Sequence, residues 1–455
     1  LKQEESSDQD AAQLNTWLDN HAVTEVECLV PDLSGVARGK IMPASKFRTE
    51  RISRLPEGIF IQTITGEWTD ETGDLVDPAE IDMILKPDPS TIRIVPWAAE
   101  PTAQVIHDCF YPNGEPVGLA PRQVLKRILE RYRERGWQPV VAPELEFFLV
   151  KKNIDPDYPL EPPIGRSGRA ESARQSYSID AVNEFDPITD DIYEFCEAQH
   201  LEIDTLIHES GAAQLEINFR HGDPLELADQ AFLFKRTVRE VALRHEVYAT
   251  FMAKPMDHEP GSAMHIHQSV LDIDSGKNIF AEPDARENRA FLAHIGGLQK
   301  YLPAAMPFFA PNVNSYRRLA RWESAPINVQ WGFDNRTAGF RVPASDPSER
   351  RVENRVAGAD VNPYLAIALS LACGYLGMIE DLTPSVPLAT SAYEHPYGLP
   401  RTLEESLRLL DDCSVLKELL GERFVRAYSA VKRWEYETFF RVISSWEREY
   451  LLLNV

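Results

Sequence analysis

Between Val141 and Val150 the chain reads VAPELEFFLV, a run in which polar and apolar side chains alternate. In an extended strand, successive side chains point to opposite faces, so Glu144, Glu146 and Phe148 share one face and Leu145, Phe147 and Leu149 the other. The alternation recurs. In AAQLEINFR, Gln214, Glu216, Asn218 and Arg220 oppose Leu215, Ile217 and Phe219; in AMHIHQS, His265, His267 and Ser269 line up; in RVENRV, Arg351, Glu353 and Arg355 do. A single such segment reads as an ordinary half-exposed strand. Four of them carrying Glu, His and Arg predict a sheet curved around a polar cavity.

Helical periodicity marks other stretches. Pro121 opens a helix with Val124, Leu125, Ile128, Leu129 and Tyr132 on one side, closed by Gly136. Near the end, Thr402 and Glu405 have the spacing of a capping box, and LRLLDDCSVLKELL and VRAYSAVKRWEYETFFRVI carry helical apolar repeats. Residues 21–112 differ in texture, with the β-type runs TEVECLV, IFIQTITGEW, STIRIV and AQVIHDCF punctuated by PDLSG and PNGEP. A boundary is expected near Asn113, giving a small sheet-rich unit over 1–113 and a larger one over 114–455. The fold class expected is α+β, with a curved, mainly antiparallel sheet flanked by helices in the larger unit. Its loop IDPDYPLEPPIGRSGRAESARQ, rich in Pro, Gly and charge, is expected to be mobile.

Composition narrows the function. With 47 basic and 71 acidic residues in 455, the net charge of −24 argues against a nucleic-acid or anionic-membrane surface. Small-molecule chemistry is the expectation. The 5 cysteines are scattered and form no CxxC pair, which suits reduced thiols and a cytoplasmic location. The acidic start LKQEESSDQD has no apolar signal-peptide core, so export is not expected. PYLAIALSLACGYLGMI, from Pro363, suits a buried helix better than a membrane span.

Neighbouring carboxylates on one strand face repel and raise each other's pKa unless positive charge lies between them. Glu144, Glu146, Glu209, Glu216, His265 and Glu353 offer oxygen and nitrogen donors, a set suited to Mg²⁺ or Mn²⁺. A metal is therefore the candidate partner. Arg318, Arg336, Arg341, Arg351 and Arg355 form a second, basic group whose planar forks match phosphate and carboxylate oxygens. No GxxxxGK[ST] or GxGxxG motif is present, so P-loop and dinucleotide folds are not supported.

KPMDHEPGSAMHIHQS, from Lys254 to Ser269, resembles the nucleotide-site pattern of the glutamine synthetase family, and PELEFF, HESGAAQLEINF, NSYRRL, NRTAGFRVP, RRVENRV and NPYLAIAL occur along the chain in that family's order. VPDLSGVARGKIMP is similar to its small β-grasp domain, and WGFDNRT is similar to the γ-glutamylpolyamine synthetase branch. The resemblance implies ligation of glutamate's γ-carboxyl to an amine through a γ-glutamyl phosphate, with ATP and two or more Mg²⁺ or Mn²⁺ ions. It implies that Glu146, Glu209 and Glu216 hold a metal near the amino acid, and that Glu144, His265 and Glu353 hold one near ATP. Arg318 and Arg355 would grip glutamate carboxylates, with Gly261 near its amino group. Arg336, Arg341 and Arg351 would face the phosphates, Arg336 in a catalytic role, and Ser269 the nucleotide. It also implies rings of six, single or stacked, with active sites shared between subunits.

The chain departs from that pattern at the ammonium pocket. Glutamine synthetases proper carry an Asp in an early FDGSS-type stretch and a flap Glu just before AP. Here the stretches read FIQTITGEW and RWESAP, placing Gln62 or a neighbour and Ser324 where acids are expected. Glu323, one residue off register, is the candidate to take the acceptor's proton. Pro260 stands where an Asn is usual. Without two acids, volume is expected beside Phe60, Ile61, Ile64, Trp68 and Trp322, where an organic amine gains roughly 25 cal/mol per Å² of buried apolar area. A polyamine would use Glu67, Asp70 or Glu71 for its second charge; a bulky or aromatic monoamine would need only the tryptophans. An ammonia-using glutamine synthetase and a non-catalytic scaffold of the same fold are the competing readings.

Overall fold

The alternating strands assemble into one eight-stranded sheet. Its members are β7 (Trp137–Lys151), β8 (Ile203–His208), β9 (Gln214–Phe219), β10 (Val247–Thr250), β11 (Met264–Asp272), β12 (Trp331–Phe333), β13 (Phe340–Val342) and β14 (Val352–Asn354). The order is β12-β13-β14-β11-β7-β9-β8, with β10 also paired to β7. All pairings are antiparallel except β12 with β13. The structure, a computed structural model, describes residues 2–50, 52–69, 72–77, 79–172, 174–281, 288–321 and 323–455. Trp322, Asp70 and Glu71 lie outside the described residues.

The apolar face of this sheet is closed by helices. Leu145, Phe147, Leu149, Leu215, Ile217, Met264 and Ile266 are fully buried, each contributing roughly 1.5–3 kcal/mol over exposure. Helix Pro224–Arg244 packs on β7, and Pro363–Glu380 packs on β11 and on helices Arg289–Phe309 and Pro121–Arg133. That 18-residue apolar helix is long enough to cross a membrane by composition, but 83% of it is buried inside the fold.

A six-stranded sheet precedes it: β1 (Glu25–Pro31), β2 (Ala37–Pro43), β3 (Ser53–Pro56), β4 (Asp82–Pro87), β5 (Arg93–Ile94) and β6 (Thr102–Phe110). Its order is β2-β1-β6-β4-β3, with β5 on β6, and β1 runs parallel to β6. Leu14, Leu18, Val26, Phe47 and Val105 form a core of their own here. The two parts are tied by Arg122, buried, whose guanidinium meets Asp88 at 2.7 Å, Asp108 at 2.7 Å and Asp229 at 2.9 Å.

Several local expectations need correction. IFIQTITGEW is not a strand: Glu57–Ile61 is a 3₁₀ turn, and only a lone bridge joins Gln62 to Trp68. Thr63 Oγ1 accepts from Glu67 N at 3.0 Å, a local bond that competes with strand pairing. Phe60 and Ile61 are wholly buried, so they do not wall an acceptor pocket. Most of STIRIV is likewise not strand, since Pro89–Thr91 forms a 3₁₀ turn before β5. The start is a helix, Lys2–Asn20, held by Leu14 and Leu18 one turn apart. At Thr402 half of the capping box forms: Thr402 Oγ1 accepts from Glu405 N, while the Glu405 carboxylate turns to Arg401 N.

Candidate active site

Strand register brings the polar residues together. Glu144 stands opposite His265 on β11 and Asn218 on β9, and Glu146 opposite Glu216. His267 pairs with Glu353 across β11 and β14, and Arg341 with Glu353 across β13 and β14. Because side chains alternate, all of these except Arg341 descend from the polar positions already read along each strand. Arg220 lies one residue beyond β9 and is exposed.

Two sets of donors result. In one, Glu144, His265 and Glu353, and in the other, Glu146, Glu216 and His265, ligand atoms lie within 4.8 Å of one another. His265 Nδ1 lies 3.3 Å from Glu144 Oε2 and 3.6 Å from Glu353 Oε1. The first set is the expected one; the second has His265 in place of Glu209. Glu209 follows β8 in a turn, where its backbone N donates to Gln214 O at 2.8 Å, and its carboxylate joins neither set at this spacing.

Positive charge is distributed unevenly over these acids. Arg341 Nη1 meets Glu353 Oε2 at 2.8 Å and Arg355 Nη1 meets Oε1. Burial works against the Glu353 carboxylate, but the Arg355 charge and then the histidines outweigh it and hold it at about 2. Burial likewise opposes Glu144, yet hydrogen bonds with His265 and His267 hold it well below the usual range. Glu146 differs. Among the described residues it accepts only from Ala263 N at 2.9 Å and Gln214 Nε2 at 3.2 Å, and burial and the Glu209 charge push it up to about 8. Glu216 is raised well above the usual range by burial and by Glu144, Glu146, Glu209 and Glu353. Burial, then the charge of Arg355, lowers His265 to about 4, so its ring is neutral and able to ligate near neutral pH. Oxygen donors with unbalanced negative charge and one neutral imidazole fit a hard divalent cation.

The basic residues fall into two groups. Arg318 is buried and donates to Val356 O and Arg355 O at 2.9 and 3.0 Å. Nε of Arg341 and of Arg355 is buried without a partner among the described residues. Gly261 lies against Arg318: a Cβ there would sit 2.5 Å from Arg318 Cγ. Arg351 Nε donates to His267 Nδ1 at 3.3 Å. Arg336 is exposed, and its charge acts on Glu209. Ser269 is half-buried on the His265 face of β11, opposite Val140. Trp68, 38% exposed, lies over Gly58, and Glu67 Oε2 accepts from Trp434 Nε1 at 3.2 Å. Within one chain this segment packs on helix Glu422–Phe440.

Three residues escaped assignment from sequence. His267 Nε2 lies 2.9 Å from Glu144 Oε1; its place on the His265 face was the available signal. Lys254 Nζ binds Glu323 Oε2 at 2.8 Å, which only folding reveals. Lys235, buried and pushed down to about 7 by that burial, donates to Ala359 O and Val361 O at 2.6 and 2.7 Å and braces the segment after Arg355. A cavity of about 830 Å³ beside helix Pro121–Arg133 touches none of the proposed ligands.

A family model described as glutamine synthetase, catalytic domain, matches residues 118–451. Gamma-glutamylputrescine synthetase PuuA of Escherichia coli (strain K12) is 35% identical over 454 residues, covering 97% of this chain and 94% of that protein. Glutamate-isopropylamine ligase of Pseudomonas sp is 32% identical over 457 residues, covering 96% of each. Among solved structures, the GmaS/ADP complex superposes with a TM-score of 0.83 at 27% identity, covering 96% of this chain and 99% of that one. Fold, donor set and these matches make the protein an enzyme of the ligase class. It belongs to the glutamine synthetase family.

Proposed function

We propose that this enzyme joins the γ-carboxyl of glutamate to an organic amine, using ATP and a divalent cation. The observation that carries the reading is the buried pair Glu146 and Glu216, which lacks a cationic hydrogen-bond partner among the described residues while Glu353 beside it is gripped by two arginines. The relatives named for putrescine and isopropylamine support an organic acceptor, and Ser324 in place of a flap acid supports it independently.

The residues divide the work as follows. A carboxylate resists amine attack because it is negative and has no leaving group; phosphorylation supplies one. Arg318 and Arg355 orient glutamate, and Arg341, Arg351 and Arg336 face the phosphates, with the unpartnered Nε of Arg341 and Arg355 as ready donors. Ser269 contacts the nucleotide. Glu144, His265 and Glu353 hold one cation, and Glu146 and Glu216 hold another with Glu209. When bound, such cations offset charge on the transferred phosphoryl group. Glu323 takes the proton of the acceptor ammonium.

Trp68 and Ile64, 38% and 55% exposed in the single chain, support an assembly in which they face a neighbour's site, as in a ring of six, single or stacked. Asn113, between β6 and helix Pro121–Arg133, marks the boundary of the small β-grasp domain. Reduced, mostly buried thiols suit a cytoplasmic enzyme.

The test is phosphate release from ATP with Mg²⁺ and glutamate, comparing ammonia, putrescine, spermidine and arylalkyl monoamines. Turnover with an organic amine well above that with ammonia is expected. Activity with ammonia alone overturns the acceptor, and no activity with any amine overturns the enzyme reading in favour of a scaffold.

A further inference from the structure

Lys254 opens the turn that ends at Gly261, and its side chain is only 9% exposed. Its backbone is clamped twice by Asn314, which accepts from Lys254 N at 2.9 Å and donates to Lys254 O at 2.8 Å. Asn314 belongs to helix Val313–Arg318, which carries Arg318. From this fixed base the ammonium reaches two segments: it donates to Glu259 O at 2.6 Å within its own turn and to Glu323 Oε2 at 2.8 Å in the flap. The flap is held from the other side by Tyr393, whose hydroxyl donates to Ala325 O at 3.1 Å. Raised chiefly by burial, that Tyr393 hydroxyl also feels the charges of Arg355, Arg318 and Glu323. Tyr393 thus links the flap that carries Glu323 to the neighbourhood of the guanidiniums assigned to glutamate.

A carboxylate has two oxygens and about four lone-pair sites. Lys254 engages Oε2, and among the described residues no donor meets Oε1, while the Glu323 side chain is 32% exposed. A glutamate on a flap, left alone, has three free torsions. Anchoring one oxygen through a nearly buried ammonium removes most of that freedom and leaves the second oxygen aimed and open.

We propose that Lys254 is a positioning residue, which pins Glu323 through Oε2 so that Oε1 receives the ammonium of the acceptor and takes its proton. This rests on the glutamate-amine ligase reading and adds the device that replaces the missing flap acid. The step balances. One N–H bond of the ammonium breaks and an O–H bond forms on Glu323; the freed lone pair attacks the acyl phosphate, the C–N bond forms, the C–O bond to phosphate breaks, and phosphate leaves with the amine's second proton.

The experiment compares wild type, Lys254→Met, Lys254→Arg and Glu323→Gln with two nucleophiles. One is the best alkylamine, protonated at neutral pH; the other is hydroxylamine, which is unprotonated there and needs no proton acceptor. Lys254→Met is expected to lose about 10- to 100-fold in kcat/KM for the alkylamine at neutral pH. The loss should shrink as pH climbs toward the amine's own pKa of about 10, and hydroxylamine should suffer far less. Lys254→Arg restores much of the alkylamine activity, and Glu323→Gln reproduces the Lys254→Met pattern even if one lysine variant fails to fold. Equal losses with both nucleophiles and no recovery at high pH overturn the proposal, leaving the ion pair as structural only. Absence of hydroxamate from the wild type with ATP, Mg²⁺ and glutamate overturns the ligase reading itself, and this proposal with it.

Discussion

Glu146 and Glu216 stand directly opposite each other on β7 and β9, and both are buried. Directly opposed residues of an antiparallel pair have Cβ atoms about 5 Å apart, close enough for like charges to destabilise the sheet. Among the described residues no cationic side chain hydrogen-bonds either carboxylate, an arrangement suited to a bound cation.

The contribution of Glu146 to stability without metal should therefore fall as pH rises. Glu146 is held at about 8 when folded, against an ordinary 4.5. Across that window the folded chain keeps a proton that the unfolded chain has released, so the unfolded state gains with each step upward in pH. A cation needs the proton gone. The rise in Tm produced by saturating Mg²⁺ is expected to grow between about pH 5 and about pH 9. Thermal melts with and without Mg²⁺ check this; a Mg²⁺ effect independent of pH would contradict it.

Glu216→Gln separates stability from activity. The amide keeps the shape, removes one of two facing charges and offers Glu146 a hydrogen-bond donor, so Tm in chelator should rise. Turnover should fall by more than about 100-fold, since even residues that only support metal ligands cost 10–100-fold, and the Mg²⁺-dependent rise in Tm should shrink to the part owed to the Glu144, His265 and Glu353 set. A variant that melts lower in chelator yet turns over normally would show that Glu216 is a structural acid.

Much of this centre was readable from residue alternation, because register in an antiparallel sheet preserves which face a side chain occupies. Glu144, Glu146, Glu216, His265, His267 and Glu353 all stand on the faces that their spacing assigns. Glu209 was not readable in this way, since it sits in a turn where period two no longer applies. The Lys254 contact with Glu323 joins residues 69 positions apart, and no local pattern encodes such a pair. IFIQTITGEW misled because its β-branched residues satisfy strand propensity, while Thr63 closes a turn through its own hydroxyl.

Arg122→Met tests the junction between the sheets. It leaves Asp88, Asp108 and Asp229 without the guanidinium that joins them, although Lys126 still reaches Asp108. Breaking a buried ion pair by removing one partner costs about 3–5 kcal/mol. Denaturant midpoints should drop accordingly, while kcat of the folded fraction remains near wild type because no proposed site residue touches Arg122. A small loss of stability with a large loss of kcat would place Arg122 in the catalytic machinery instead.

Gly261→Ala probes the glutamate end of the site through one added methyl. The backbone at Gly261 is not in the left-handed region, so an alanine meets no torsional penalty there. Its cost is steric: Cβ would lie 2.5 Å from Arg318 Cγ and 2.6 Å from Ala253 O. The carbonyl belongs to backbone and yields poorly, and Arg318 is pinned beyond that point by Val356 O and Arg355 O. Overpacking of this kind costs about 1–3 kcal/mol, and the relief available is a shift of the Arg318 side chain. KM for glutamate should therefore rise about tenfold or more, while KM for ATP, whose proposed contacts Arg341, Arg351 and Ser269 lie on other strands and loops, changes little. Equal changes in both constants would mean that the methyl disturbs the sheet as a whole, and an unchanged KM for glutamate would remove Arg318 from the substrate's path.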